Sequence, residues 1–268
     1  RNRSAIQKAI ESGVFVTLAT GRGCIATRPI WRLLDLHGPS IQYGGAMTVD
    51  IDSEAPLSMH ALDPELIREI LNFSAEVGVH AQIYENDVVI YEKPNAFADR
   101  YIGRHNLPFE IDADIRKKTY RNVPKILALS GLEDQDEKLA LFRARFAGKA
   151  QVSRSLPGYI EINCLNTTKG TALEELARKL GISQNRVAAV GDNSLDHEMI
   201  EWAGVGACVA DGAESVKEIA DVVIPACDED GGHAEGDPAM GREVALAPED
   251  GLCDVPEHDE AQAARDDE

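Results

Sequence analysis

Short apolar runs alternate with amphipathic stretches from the start of the chain. Ile6, Ala9 and Ile10 recur at helical spacing ahead of Gly13, and residues 14–19 follow as a continuous apolar run closed by Thr20-Gly21. This pattern predicts a helix and then a buried strand. Residues 25–36 predict a second amphipathic helix, and residues 40–43 and 47–51 predict strands joined through Gly44-Gly45. Helices alternating with strands that are apolar on both faces predict an α/β fold with a parallel, doubly wound sheet.

The pattern changes near residue 59. Asp63 caps a helix with Pro64 in its first turn, expected to run to Gly78, and residues 81–84 and 88–91 flank Glu85-Asn86-Asp87 as a hairpin. A strand at 125–129, a helix at 134–146 and strands at 151–154 and 159–163 complete an α/β insert over residues 59–160. Helix and strand then alternate again: 170–180, 186–190, 195–202, 206–209, 213–219 and 222–225. The expected organisation is a core in two parts, 1–58 and 161–227, an inserted domain at 59–160, and a tail at 228–268.

Composition sharpens the view of the tail. Of the formal net charge of -19, the segment 228–268 supplies the larger part, because its Asp and Glu residues face only Arg242 and Arg265. The folded part is therefore only mildly acidic, which argues against a nucleic-acid partner. The tail has Gly, Pro and Ala without apolar periodicity and is expected to be disordered and solvating. Cys24, Cys164, Cys208, Cys227 and Cys253 are scattered, with no spacing that seeds a zinc site or a redox pair. With no apolar run of membrane-spanning length and a polar first helix, the chain is expected to be cytoplasmic and without a membrane partner.

Three segments carry candidate chemistry. Thr20-Gly21-Arg22 follows the first buried strand, where a hydroxyl and a glycine amide can together donate to phosphate oxygens; on its own such a pair is an ordinary turn. Lys169, in Asn166-Thr167-Thr168-Lys169-Gly170, opens a helix and adds charge to the positive end of its dipole. Gly191-Asp192-Asn193-Ser194-Leu195-Asp196 follows another buried strand, and two carboxylates four residues apart at such a turn suit a hard cation such as Mg²⁺. Helix capping by Asp192 or Asn193 is the competing structural reading.

In this order the segments resemble the haloacid dehalogenase superfamily, in particular its Cof-like sugar-phosphatase branch with an inserted α/β cap. The resemblance runs from about residue 2 to 232. It includes Leu18-Ala19-Thr20-Gly21-Arg22, Gly45-Ala46, Pro124-Lys125-Ile126-Leu127, Lys169-Gly170, Gly191-Asp192 with Asp196 and Met199, residues 213–221, and Asp228-Glu229-Asp230-Gly231. It implies a Rossmann-like core and a Mg²⁺-dependent phosphomonoester hydrolase acting on a small phosphorylated metabolite. Thr20, Gly21 and Lys169 would bind phosphate, Asp192 would ligate Mg²⁺ with Asp196 in support, and Arg22 and Asn193 would lie near the substrate.

The chain also departs from that pattern. The family's Asp-x-Asp-Gly-Thr segment, whose first aspartate attacks phosphorus and whose second protonates the leaving oxygen, should precede Asn2 and is absent from these residues. Leu195 and Gly44 stand where the family usually has asparagine. The expectation is a sheet without its first central strand, no catalytic nucleophile or acid/base, and no turnover by the chain as it stands. The alternative is a non-catalytic protein that binds a phosphate ligand or a partner on the same scaffold.

Overall fold

A computed structural model describes residues 2–105, 107–226 and 243–246. The parallel sheet contains β1 (Phe15–Leu18), β11 (Val187–Gly191), β12 (Val205–Val209), β13 (Val222–Ile224) and β14 (Glu243–Leu246). Its spatial order is β1-β14-β11-β12-β13. Beside it β2 (Pro39–Gln42), β3 (Met47–Asp50) and β4 (Ala55–Met59) form an antiparallel sheet, linked to the first by a parallel bridge between Ala19 and Ile41.

A six-stranded sheet is built from the middle of the chain: β5 (His80–Glu85), β6 (Val88–Tyr91), β7 (Phe109–Ile111), β8 (Lys125–Leu129), β9 (Ala150–Arg154) and β10 (Tyr159–Cys164). Its order is β7-β6-β5-β8-β10-β9, antiparallel except for the β6–β7 pair. The mixed α/β architecture implied by the alternating pattern is thus present.

Eight helices cover these sheets among the described residues: α1 (Asn2–Glu11), α2 (Cys24–Leu34), α3 (Pro64–Glu76), α4 (Ala96–His105), α5 (Gln135–Arg145), α6 (Lys169–Leu180), α7 (His197–Trp202) and α8 (Glu214–Lys217). Helix α3 starts where its sequence signals say: the Asp63 carboxylate accepts from the amides of Glu65 and Leu66, and Pro64 fills the first turn. Ile67, Ile70 and Leu71 then recur at helical spacing and meet Phe142 and Phe146 under the six-stranded sheet. Helix α6 is bounded as sharply. Thr168 and Thr171 cap each other's backbone amides, and Gly181 ends the helix at φ 70. Its Leu173 and Leu176 pack with Met199 and Ile200 of α7 and Val187 and Ala189 of β11. Each such buried aliphatic side chain contributes about 1.5–3 kcal/mol, so packing, not propensity, fixes α6 against the parallel sheet.

Strand β14 corrects the expectation for the tail. Residues 228–268 were expected to be disordered, yet Glu243–Leu246 pairs in parallel with β1 on one side and β11 on the other. Glu-Val-Ala-Leu is too short to give a periodic signal in an acidic surround. A slot with two parallel edges supplies a partner for every backbone N–H and C=O of the segment, and that outweighs its weak intrinsic pattern. The sheet expected to lack a central strand therefore has one from the other end of the sequence. The remaining residues of the tail, including Asp228-Glu229-Asp230-Gly231, lie outside the described residues. The stretch 213–219 gives a shorter helix than expected, and α4, β4 and β7 arise where the pattern showed no element.

His80 on β5 supplies a pH dependence. Asn95 Nδ2 lies 3.0 Å from His80 Nδ1, and His80 Nε2 lies 3.1 Å from Gln82 Oε1, a pairing that suits a neutral ring accepting at Nδ1 and donating from Nε2. Burial pulls its pKa below the usual imidazole value. The unfolded chain then binds the proton more readily, so stability falls as pH drops below about 6.5. Urea titrations at pH 7.5 and 5.0 should show this loss, and His80→Gln should flatten it; an unchanged slope in the variant would assign it to other groups.

Candidate active site

The residues with candidate chemistry gather at the carboxyl edge of the parallel sheet, the place where open α/β sheets bind ligands. Thr20 follows β1. Its amide donates to Ile41 O at 2.9 Å, its carbonyl accepts from Gly44 N at 2.9 Å, and its Oγ1 accepts from Arg22 N at 3.1 Å. Gly44 and Gly45 sit between this loop and the start of α6. Both have positive φ, 67 and 103, and a Cβ on Gly45 would lie 2.1 Å from the carbonyl oxygen of Thr168. That approach requires glycine.

Lys169 is 1% exposed and Asp196 is 0% exposed. Lys169 Nζ donates to Asp196 Oδ1 at 2.8 Å. Asp196 Oδ2 accepts from the backbone amides of Asp192, 3.1 Å, and Asn193, 3.0 Å. Both oxygens of Asp196 are therefore engaged in holding the lysine and the loop after β11. Close packing demands glycine here too: a Cβ on Gly191 would lie 2.5 Å from Asp196 Cβ. Asp192 is half-buried at the strand end. A continuous set of contacts thus runs from Thr20 through Gly44-Gly45 to Lys169, and on through Asp196 to Asp192.

Side chains from the six-stranded sheet close over this edge, and these escaped the sequence reading. Lys125 of β8, 3% exposed, donates to Gly21 O at 2.8 Å and pairs with Glu161 of β10 at 2.7 Å. Its Nζ also lies 5.0 Å from the centre of the Tyr84 ring. Asp87, at the tip of the β5–β6 hairpin, accepts from the amides of Cys24, 3.1 Å, and Ile25 at the start of α2, and from the Tyr43 hydroxyl. From the opposite side, Asn193 Nδ2 donates to Ser155 O at 2.7 Å and Ser194 Oγ to Arg154 O at 3.1 Å. Asn163 Nδ2 donates to Tyr43 O and Pro124 O. A small cavity between the sheets is walled by Gly44, Glu161, Asn163, Lys169 and Leu195. Arg22 lies half-buried beside this edge, its carbonyl accepting from Tyr43 N at 3.0 Å.

Cys24 and Cys208 are buried free thiols. Burial, with Asp87 adjacent, pushes the Cys24 thiol up to about 12, and burial, with Asp192 adjacent, pushes Cys208 up to about 11. Burial and the same Asp87 hold the Tyr43 phenol well above its usual range.

A divalent cation is tested by the donor set. Among the described residues no group of three or more His, Cys, Asp or Glu side chains could hold one. Asp196 is committed to Lys169 and two amides, and Asp192 is the other carboxylate of this turn. That suits Mg²⁺, which keeps several waters and is commonly held by one or two carboxylates together with a substrate phosphate. No helix among the described residues is long and apolar enough to cross a membrane.

Known proteins resemble this chain in sequence and in fold. The phosphoglycolate phosphatase of Methanosarcina mazei is 29% identical over 231 residues, covering 85% of this chain and 83% of that protein. The 5-amino-6-(5-phospho-D-ribitylamino)uracil phosphatase YcsE of Bacillus subtilis is 28% identical over 233 residues, covering 86% and 84%. Among solved structures, the HAD subclass IIB sugar phosphatase BT4131 superposes with a TM-score of 0.72 at 21% identity, over 86% of this chain and 87% of that one. The family model for haloacid dehalogenase-like hydrolases matches residues 1–232. With its parallel sheet, inserted α/β layer and phosphatase relatives, the chain belongs to the haloacid dehalogenase-like hydrolases, as a phosphatase of Cof-like type.

Proposed function

We propose that the edge formed by Thr20, Gly21, Lys169 and Asp192 binds the phosphoryl group of a small phosphorylated metabolite, in a Mg²⁺-assisted phosphomonoester hydrolase site. The unbroken run of contacts from Thr20 through Gly44-Gly45, Lys169 and Asp196 to Asp192 carries this reading. Thr20 Oγ1–H and the Gly21 amide donate to phosphate oxygens, and Lys169 offsets their charge. Asp192 would hold Mg²⁺ jointly with the substrate, and the ion would neutralise charge on the transferring group. Asp196 is the positioning residue that fixes Lys169 and the Asp192 loop. Arg22 and Asn193 border the substrate, and the Lys125–Glu161 pair forms the wall toward its leaving group. The relatives' names, a phosphoglycolate phosphatase and a ribitylaminouracil-phosphate phosphatase, support a soluble phosphorylated metabolite as substrate.

These 268 residues contain no Asp-x-Asp-Gly-Thr string. Without a nucleophilic and a proton-donating carboxylate, turnover should drop at least as far as loss of a general acid alone, about 10² to 10⁴-fold. Assayed with p-nitrophenyl phosphate, this chain should not exceed a metal-free control. A chain carrying an Asp-x-Asp-Gly-Thr strand ahead of Asn2 should turn over with Mg²⁺ and lose that activity on Asp192→Asn. Leu195 and Gly44, at positions where the family usually has asparagine, favour a second reading, a phosphate-ligand-binding protein. Phosphate binding without turnover by the extended chain would select it.

A further inference from the structure

The inserted domain has a cavity of its own, about 380 Å³ in volume, within the range of about 300–1,000 Å³ found for small organic ligands. It lies at the end of the six-stranded sheet away from the candidate active site. Lys125 and Asp87 mark the near end through their bonds to Gly21, Cys24 and Ile25. His80, in the wall of the cavity, registers with Leu129, which follows Lys125 along β8 by about 13 Å at the rise of a strand. The cavity shares no lining residue with the smaller one beside Lys169.

Its lining combines the buried apolar side chains Leu71, Val79 and Ile115 with charged ones of unequal sign: Lys93 and Arg116 are two cations against one carboxylate, Glu92. Nε and Nη2 of Arg116 both donate to Glu92 Oε1, at 3.0 and 2.5 Å, which keeps the Nη1–Nη2 edge of the guanidinium outside that pair. Such an edge matches a carboxylate in a two-pronged hydrogen bond. The end of α3, also in the wall, offers little to a cation, because the carbonyls of Phe73, Ser74 and Ala75 already accept from Val77, Val79 and Gly78. The ring nitrogens of His80 are engaged by Asn95 and Gln82, so recognition of charge falls to Arg116 and Lys93. We propose that this cavity is a second ligand site, which takes a small monocarboxylic acid: its apolar body rests against Leu71, Val79 and Ile115, and its carboxylate pairs with Arg116 and Lys93. A single excess positive charge suits a monoanion better than a phosphate dianion. The inference does not rest on the phosphate reading given above.

Heteronuclear NMR of the full chain, titrated with 3-phenylpropionate, tests this. Amides of residues 74–81 and 92–97 should shift saturably, with a dissociation constant of about 1 mM or lower, while those of Thr20 and Lys169 stay in place. The alcohol 3-phenylpropan-1-ol keeps the apolar body without the charge and should bind about tenfold more weakly. Arg116→Gln should bring the acid down to the level of the alcohol. Ala75→Leu, at an exposed position of α3 that lines the cavity, should fill the space and abolish binding of both compounds, with the helix intact because leucine favours it nearly as well as alanine. Absence of saturable shifts at about 10 mM acid would overturn the proposal, as would shifts confined to the segments around Thr20 and Lys169. Equal affinity for acid and alcohol, or tighter binding of 3-phenylpropylamine, would overturn the carboxylate assignment. Binding that survives Ala75→Leu would overturn the cavity as its location.

Discussion

Asp196→Ala should destabilise the chain by about 3–5 kcal/mol, the range for removing one partner of a buried ion pair. The substitution takes the Asp196 carboxylate away from the Lys169 ammonium, in a position 1% exposed, and also removes the acceptor for two backbone amides, those of Asp192 and Asn193. The pair itself is not a large net source of stability, since desolvation offsets most of its attraction. The double variant Lys169→Met with Asp196→Leu should accordingly recover a good part of the loss. Urea unfolding monitored by circular dichroism measures both. A cost below about 1 kcal/mol for Asp196→Ala would mean that Lys169 finds water or another acceptor.

Gly45→Ala should cost about 3 kcal/mol or more. The residue stands at φ 103, where a side chain is strained by about 1–3 kcal/mol, and its Cβ would lie 2.1 Å from the Thr168 carbonyl oxygen, a backbone atom that cannot swing away. Relief requires the start of α6 to move, and Lys169 moves with it. Beyond a lowered Tm, the variant should bind phosphate more weakly. Gly78→Ala, also at positive φ but with nothing within 4 Å, should show the strain without the change in binding. Equal effects of the two variants on binding would separate Gly45 from the site.

Much of this fold could be read from the sequence because its signals are local. Asp63-Pro64 and Thr168 mark helix starts through their own side chains and neighbours, and the runs before Thr20 and Gly191 are apolar on both faces as parallel strands require. Thr20, Lys169 and Asp192 stood out because each follows a buried strand or opens a helix. What stayed hidden depends on partners far along the chain. Lys125 reaches the Gly21 carbonyl 104 positions away, and Asp87 caps α2 from 62 to 63 positions away. Both meet backbone groups, which leave no mark in residue type. The commitment of Asp196 to Lys169 was equally invisible, since spacing shows that two groups can meet but not which oxygen each takes. Strand β14 was missed for the opposite reason: its four residues have little pattern, and the slot that orders them is built by β1 and β11.

Phosphate binding measured by ³¹P NMR titration tests, without requiring turnover, whether Thr20, Lys169 and Asp192 form one phosphate and Mg²⁺ site. Saturable binding of inorganic phosphate to this chain should tighten when Mg²⁺ is added. Thr20→Val should weaken it with and without the metal, and Asp192→Asn should abolish the Mg²⁺ effect while leaving metal-free binding in place. Absence of saturable binding, or binding indifferent to both substitutions, would contradict the account.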